Sequence, residues 1–352
     1  MRFFVGGYAP EIAVAELDPD DGSMEVVKRV TTPENASFLV ACSKLKTLYA
    51  TVETGYQSGG SGKVSSYRVD AELMLTALGS TESCGPGPCH ADVVPEEGLL
   101  AVANYGGENF SLIKLDDSGK PVSQLACVTH SGQSVNPDRQ AEPHPHATVF
   151  SPDASYLFVC DLGIDQVVRY SVSSLLRGEG EGVVAAEVSA GSGPRHLSFS
   201  ADARHAYLVN ELSNTVVAYA YDPATGDLSE LQEIGMLPAS FDGENTAAEI
   251  AIHPSGRFVY ASNRGHDTIA CYTRDAESGK LSANGYVDTT GSGPRHFGID
   301  PTGLWMLVAN QNTDQVVSMK IDPETGVPKW TGKSLGFPAA SCALFWPTER
   351  QP

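Results

Sequence analysis

The 352-residue chain predicts an all-β fold: a seven-bladed β-propeller with four antiparallel strands per blade. Three observations carry this expectation. The pentapeptide Ser192-Gly193-Pro194-Arg195-His196 returns one hundred residues later as Ser292-Gly293-Pro294-Arg295-His296. Stretches of about forty to fifty residues around these copies follow one template, the mark of stacked repeats. Short β-branched and aromatic runs, broken by Pro, Asp and Gly, recur along the chain, with no convincing helical period of 3.6.

The template is clearest after Pro194. Arg195 to Ser200 alternates polar and apolar, and Ala201-Asp202-Ala203 turns the chain. Ala206 to Asn210 is a second run and Leu212-Ser213-Asn214 a second turn. Thr215 to Tyr221 is a third run, Asp222 to Gly226 a turn, and Leu228 to Leu237 a fourth run. Aligning copies on Pro95, Pro152, Ala201, Pro254 and Pro301 puts Asn or Asp nine residues on in every one: Asn104, Asp161, Asn210, Asn263 and Asn310. A looser copy spans Ser37 to Leu75. The seventh unit is split. Ser341 to Trp346 supplies one strand, and Arg2 to Tyr8, Ile12 to Asp18 and Met24 to Val30 supply three. N- and C-terminal strands sharing a blade tie the ring shut and remove open edges. Residues 1–352 therefore form one domain.

A net charge of −20 argues against nucleic acid and anionic membrane surfaces as partners. No signal peptide or 18-residue apolar run is visible, which gives a cytoplasmic expectation and makes the sequons at Asn35 and Asn109 incidental. Seven cysteines, mostly in strand-like runs, read as free buried thiols in a reducing cytosol. Cys84 and Cys89 flank Gly85-Pro86-Gly87-Pro88, but no second pair completes a zinc site. No metal or cofactor is expected. A monomer and a homodimer both remain open.

Antiparallel alternation puts the turn before a blade's first strand and the turn after its second at the same end. The innermost strand lines the channel. Six residues before each aligned turn stand Cys89, His146, Arg195, Ala248 and Arg295, and just after each Asn/Asp stand Tyr105, Leu162, Glu211, Arg264 and Gln311. One channel mouth thus gathers Arg195, Arg264 and Arg295 with His90, His146, His196, His296 and Glu211. Arginine forks bind carboxylate or phosphate bidentately. Hence a small anionic ligand is expected, with Glu211 and His146 able to move protons. Each residue also has a plainer alternative. An arginine caps carbonyls or pairs with a carboxylate, and His90, His196 and His296 share a register suited to packing. The sequence His144-Pro145-His146 invites a metal, which the nearby arginines disfavour. The long connection Gln232 to Ala247 is a candidate lid over the channel, or a packed loop.

At these residues the chain resembles the lactonase family of seven-bladed propellers. Its branches include the cycloisomerase-type 6-phosphogluconolactonases and the fungal 3-carboxy-cis,cis-muconate lactonizing enzyme. The motifs are Gly191 to His196, Val209-Asn210-Glu211-Leu212, Tyr260 to Arg264 and His146 to Asp161. The resemblance implies His146, Arg195, Arg264 and Glu211 as catalytic residues, no metal and a cytosolic sugar-acid substrate. Arg295, His196, His296 and His90 complete the expected substrate-binding set. Three functions stand: hydrolysis of a sugar lactone, foremost 6-phospho-D-glucono-1,5-lactone; cyclisation of a carboxymuconate; and a non-catalytic binding platform.

Overall fold

The computed structural model describes residues 1–32, 34–56 and 59–347. Seven four-stranded antiparallel sheets succeed one another around a central channel. In the first blade the C-terminal strand Ala340–Phe345 is innermost, hydrogen-bonded to Arg2–Gly7, followed by Glu11–Leu17 and Met24–Thr31. The second to seventh blades each run outward in chain order from an innermost strand. These inner strands are Ala36–Cys42, Pro88–Val94, Pro145–Phe150, Pro194–Phe199, Thr246–Ile252 and Pro294–Ile299. The predicted ring closure is therefore the observed one. The one α-helix among the described residues, Val172–Leu176, lies between the third and fourth strands of the fourth blade.

The period of two explains the packing. Second strands such as Leu99–Asn104, His205–Asn210 and Trp305–Asn310 are buried along their whole length, because blades cover both their faces. The core is accordingly divided between blades. Phe3 and Val5 of the first blade meet Trp305 and Leu307 of the seventh, and Tyr207 and Val209 of the fifth meet Val259 and Ala261 of the sixth. Tyrosines at matching places in three second strands bind across the junctions: Tyr49, Tyr207 and Tyr260 donate to the carbonyls of Gly119, Gly279 and Gly326 in the next blade. Each such bond contributes about 0.5–1.5 kcal/mol.

The recurrent Asn/Asp is a structural stitch. Asn104, Asn263 and Asn310 are fully buried, and their side-chain amides donate to Ser83, Met236 and Thr289 carbonyls. These carbonyls lie in or just after the chain leaving the preceding outer strand.

A feature hidden in the sequence positions the site. In all seven blades the pairing of the innermost strand with the second strand slips near its start. Pro194 pairs with Asn210, yet His196 pairs with Val209, so Arg195 is the extra residue of a bulge. The same slip occurs at Ser37, Cys89, His146 and Arg295, at Ser341 in the closing strand, and over Ala248–Glu249 in the sixth blade. A bulge re-aims its extra side chain, and in every blade one such residue lines a cavity described below: Ser37, Cys89, His146, Arg195, Glu249, Arg295 and Ser341.

One expectation is corrected here, and the packing supports one of two open alternatives. Cys84 and Cys127 form a disulfide, with Cα atoms 6.3 Å apart, so the reading of free thiols holds only for Cys42, Cys89, Cys160, Cys271 and Cys342. The partners are 43 residues apart, a loop that topology closes and sequence does not reveal. The connection inside 232–247 is packed: Phe241 meets the His266 ring at 4.7 Å, and Asn245 bonds to Asn214 and Asn263. Of this stretch only Thr246, which starts a strand, lines the channel cavity.

Candidate active site

Each second strand ends at the channel mouth, where its last residue or the one after it marks the exit. From the first to the seventh blade these exit positions are Tyr8, Glu53, Tyr105, Leu162, Glu211, Arg264 and Gln311. Four of them, with the bulge residues Cys89, His146 and Arg295, line a cavity of about 320 Å³, whose full lining is Glu53, Tyr56, Cys89, Tyr105, Arg139, His146, Glu211, Thr246, Arg264 and Arg295. A much smaller void of about 10 Å³, room for one water, shares Glu53, Cys89 and Arg295 with it and is also lined by Arg195, His196, Glu249 and His296.

Glu211 is the hub. Its Oε2 lies 3.0 Å from Arg195 Nε and 3.0 Å from Arg264 Nη2, and its Oε1 accepts from Arg139 Nη2 at 2.5 Å. His146 Nε2 stands 3.7 Å from Oε2. Burial disfavours the charge on Glu211, but Arg264, Arg195 and Arg139 outweigh it and hold the carboxyl well below its ordinary range. Burial pulls Arg264 down to about 10. Arg264 Nε has no hydrogen-bond partner among the described residues.

His146 is buried, and burial, together with Arg195, His196 and Arg295, pushes its pKa well below 6.5. It is therefore a neutral imidazole at pH 7. Its Nδ1 lies 3.8 Å from Cys89 Sγ, which leaves the Nε2 edge toward Glu211. Arg295 differs from the other arginines. No hydrogen bond or ion pair ties its guanidinium among the described residues. It stacks over the Tyr8 ring at 5.5 Å. Burial works against its charge, yet Tyr8, Glu53 and Glu211 raise its pKa overall.

The structure brings His146, Glu211, Arg264 and Arg295 together in the larger cavity. Arg195 sits behind Glu211, 2% exposed, with Nη1 3.2 Å from His196 Nε2. His90, His196 and His296 do not line the larger cavity. They follow the bulges and cluster around Phe38, whose ring lies 4.4 Å from His90, 6.0 Å from His196 and 5.8 Å from His296. His196 Nδ1 and His296 Nε2 face Glu249 Oε2 at 3.1 and 3.6 Å. This supports the packing alternative for the three histidines. All three are held below their ordinary pKa, with burial the largest cause.

Sequence reasoning missed Tyr8, Glu53, Arg139 and Glu249. The first two occupy the exit position in the split and looser copies, so extending the template would have found them. Arg139 belongs to the connection 130–144, which is anchored by Gln140 on Leu162 and Asp165 and by the His144 ring stacked on Tyr105 at 4.4 Å. No repeat signal points to it.

A family model described as lactonase, 7-bladed beta-propeller, matches residues 2–345. The chain belongs to that family. It is 31% identical over 335 residues to a 6-phosphogluconolactonase of Bacillus subtilis, covering 94% of this chain and 93% of the relative. It is 32% identical to a 6-phosphogluconolactonase of Formosa agariphila, covering 92% and 93%. Among solved structures, the periplasmic gluconolactonase PpgL of Pseudomonas aeruginosa superposes with a TM-score of 0.90 at 32% identity, over 98% of this chain and 99% of that one. No helix among the described residues of this lactonase-family chain is long and apolar enough to cross a membrane.

Proposed function

We propose that this enzyme hydrolyses the δ-lactone of a sugar acid, with 6-phospho-D-glucono-1,5-lactone as the first substrate to test. The observation that carries the reading is one cavity holding a neutral His146 against an ionised Glu211, with Arg295 free of any carboxylate.

The roles follow from the charges. Glu211, locked by three arginines, is too weak a base to take a proton. It stabilises the imidazolium that forms when His146 Nε2 takes a proton from water. The water oxygen bonds to the lactone carbonyl carbon, and Arg264 and Arg295 stabilise the charge on the carbonyl oxygen. Collapse breaks the bond to the ring oxygen, which receives the proton back from His146. The product carboxylic acid then ionises. One base serving both steps contributes about 10²–10⁴-fold.

The test is lactone opening by purified protein, measured against the spontaneous rate. Wild type is expected to accelerate it and His146→Ala to lose most of the gain. Equal rates for the two proteins would reject the assignment of His146. No acceleration by wild type would reject the lactonase reading. Loss of muconate absorbance on incubation with a carboxymuconate would instead favour cyclisation.

A further inference from the structure

The mechanism leaves one charged group of the cavity without a role. Glu53 occupies the second blade's exit position, three blades round the ring from Glu211, so the two carboxylates stand on opposing walls. It is 7% exposed. Its Oε2 accepts from Tyr8 Oη at 2.9 Å and its Oε1 from Tyr56 Oη at 3.1 Å. Tyr56 is seated against Gly87 and Gly106, where an added Cβ would lie 2.3 and 2.6 Å from its ring atoms. An ionised carboxylate has about four acceptor sites, so two remain after the tyrosines. A buried anion in a cavity built for anions needs ligand groups that donate hydrogen bonds.

We propose that Glu53 determines specificity: its carboxylate, fixed by Tyr8 and Tyr56 opposite Glu211, accepts hydrogen bonds from the hydroxyls of a polyol substrate and repels any substrate with a carboxylate at that end. The inference deepens the lactonase reading. The cavity lining agrees with it. Arg139, Arg264 and Arg295 against Glu53 and Glu211 leave one positive charge in excess, which suits a single phosphate group and not the three carboxylates of a carboxymuconate. A site built to bond a hydroxyl also rejects analogues lacking it, because its buried acceptor is then left unpaired.

The test uses binding, so it is decided independently of turnover. Calorimetry compares D-glucitol 6-phosphate with hexyl phosphate, which has the same charge and no hydroxyls. Wild type is expected to prefer the polyol. Glu53→Gln is expected to weaken polyol binding by about 10- to 100-fold, to leave hexyl phosphate within about threefold, and to bind cis,cis-muconate more tightly than wild type. Tyr56→Phe, at a half-exposed residue, guards against misfolding of the first variant and is expected to give a smaller loss with the same selectivity. Equal losses for both phosphates, no loss for either, or a wild type indifferent to the hydroxyls would each overturn the proposal. A wild type that opens no lactone yet shows this pattern would end the lactonase reading alone.

Discussion

Arg195 Nε meets Glu211 Oε2 at 3.0 Å with both side chains almost fully closed to solvent. Neither charge is tolerable there without the other. Removing one partner of such a pair costs about 3–5 kcal/mol. Glu211→Gln is therefore expected to lower the urea midpoint substantially at pH 7. The sign with pH follows from the depressed carboxyl: its stabilisation is complete above the unfolded value of 4.5 and fades as pH falls below it. The gap between wild type and variant should narrow below pH 4.5. A gap independent of pH would contradict this account.

His146 sets the acid limb of activity. With its folded pKa well below 6.5, the base is already deprotonated at neutrality. The rate constant kcat/KM is expected to rise from acid pH with a midpoint below 6.5 and to be flat around pH 7 after subtraction of spontaneous opening. A midpoint above 6.5 would point to another base.

The buried histidines also govern folding. His90, His146, His196 and His296 all have lowered pKa values, so each contributes stability above pH 6.5 that is lost as pH falls below it. Urea midpoints are expected to decline from pH 6.5 downward, before any carboxylate protonates. Replacing His90, which lines neither cavity, by Asn should flatten that decline measurably.

Two arginines separate binding from chemistry. Arg295 has no ionic partner among the described residues, and Arg295→Ala is expected to lower kcat/KM by about 10²–10³-fold. Arg139 is 36% exposed at the rim. Arg139→Ala should chiefly raise KM for a phosphorylated lactone, by about tenfold, and weaken its dependence on salt. Identical kinetic defects in the two variants would refute this division.

The Cys84–Cys127 bridge closes a 43-residue loop. Chain entropy then gives it roughly 4 kcal/mol. Cys84→Ser is expected to lower the melting temperature, and wild type denatured without reductant should titrate five thiols. Seven thiols would mean that the bridge does not form.

Much of this was legible because a propeller writes its geometry into its sequence as a period. The split blade, the channel mouth and the meeting of His146, Glu211 and Arg264 there all follow from offsets within one template. What escaped lies outside that logic. The bulges that turn Arg195 and Arg295 inward are register slips, invisible to a pattern of alternating polarity. Arg139 comes from an irregular connection that obeys no offset. The division of labour between Glu211 and its arginines depends on burial, which spacing does not encode. Glu53 and Tyr8 sit at the right offset in the looser and split copies, where the template extends to them.

The innermost strand of the first blade is the last one in the chain, and it brings Ser341 to the channel and the Ala343 amide to His296. On the ribosome, Arg2–Gly7 waits for a neighbour that is translated more than three hundred residues later. Until then the newborn chain is an open arc with a bare flank. A message cut short before Ala340 is therefore expected to carry every residue that lines the larger cavity in a ring that lacks its closing strand.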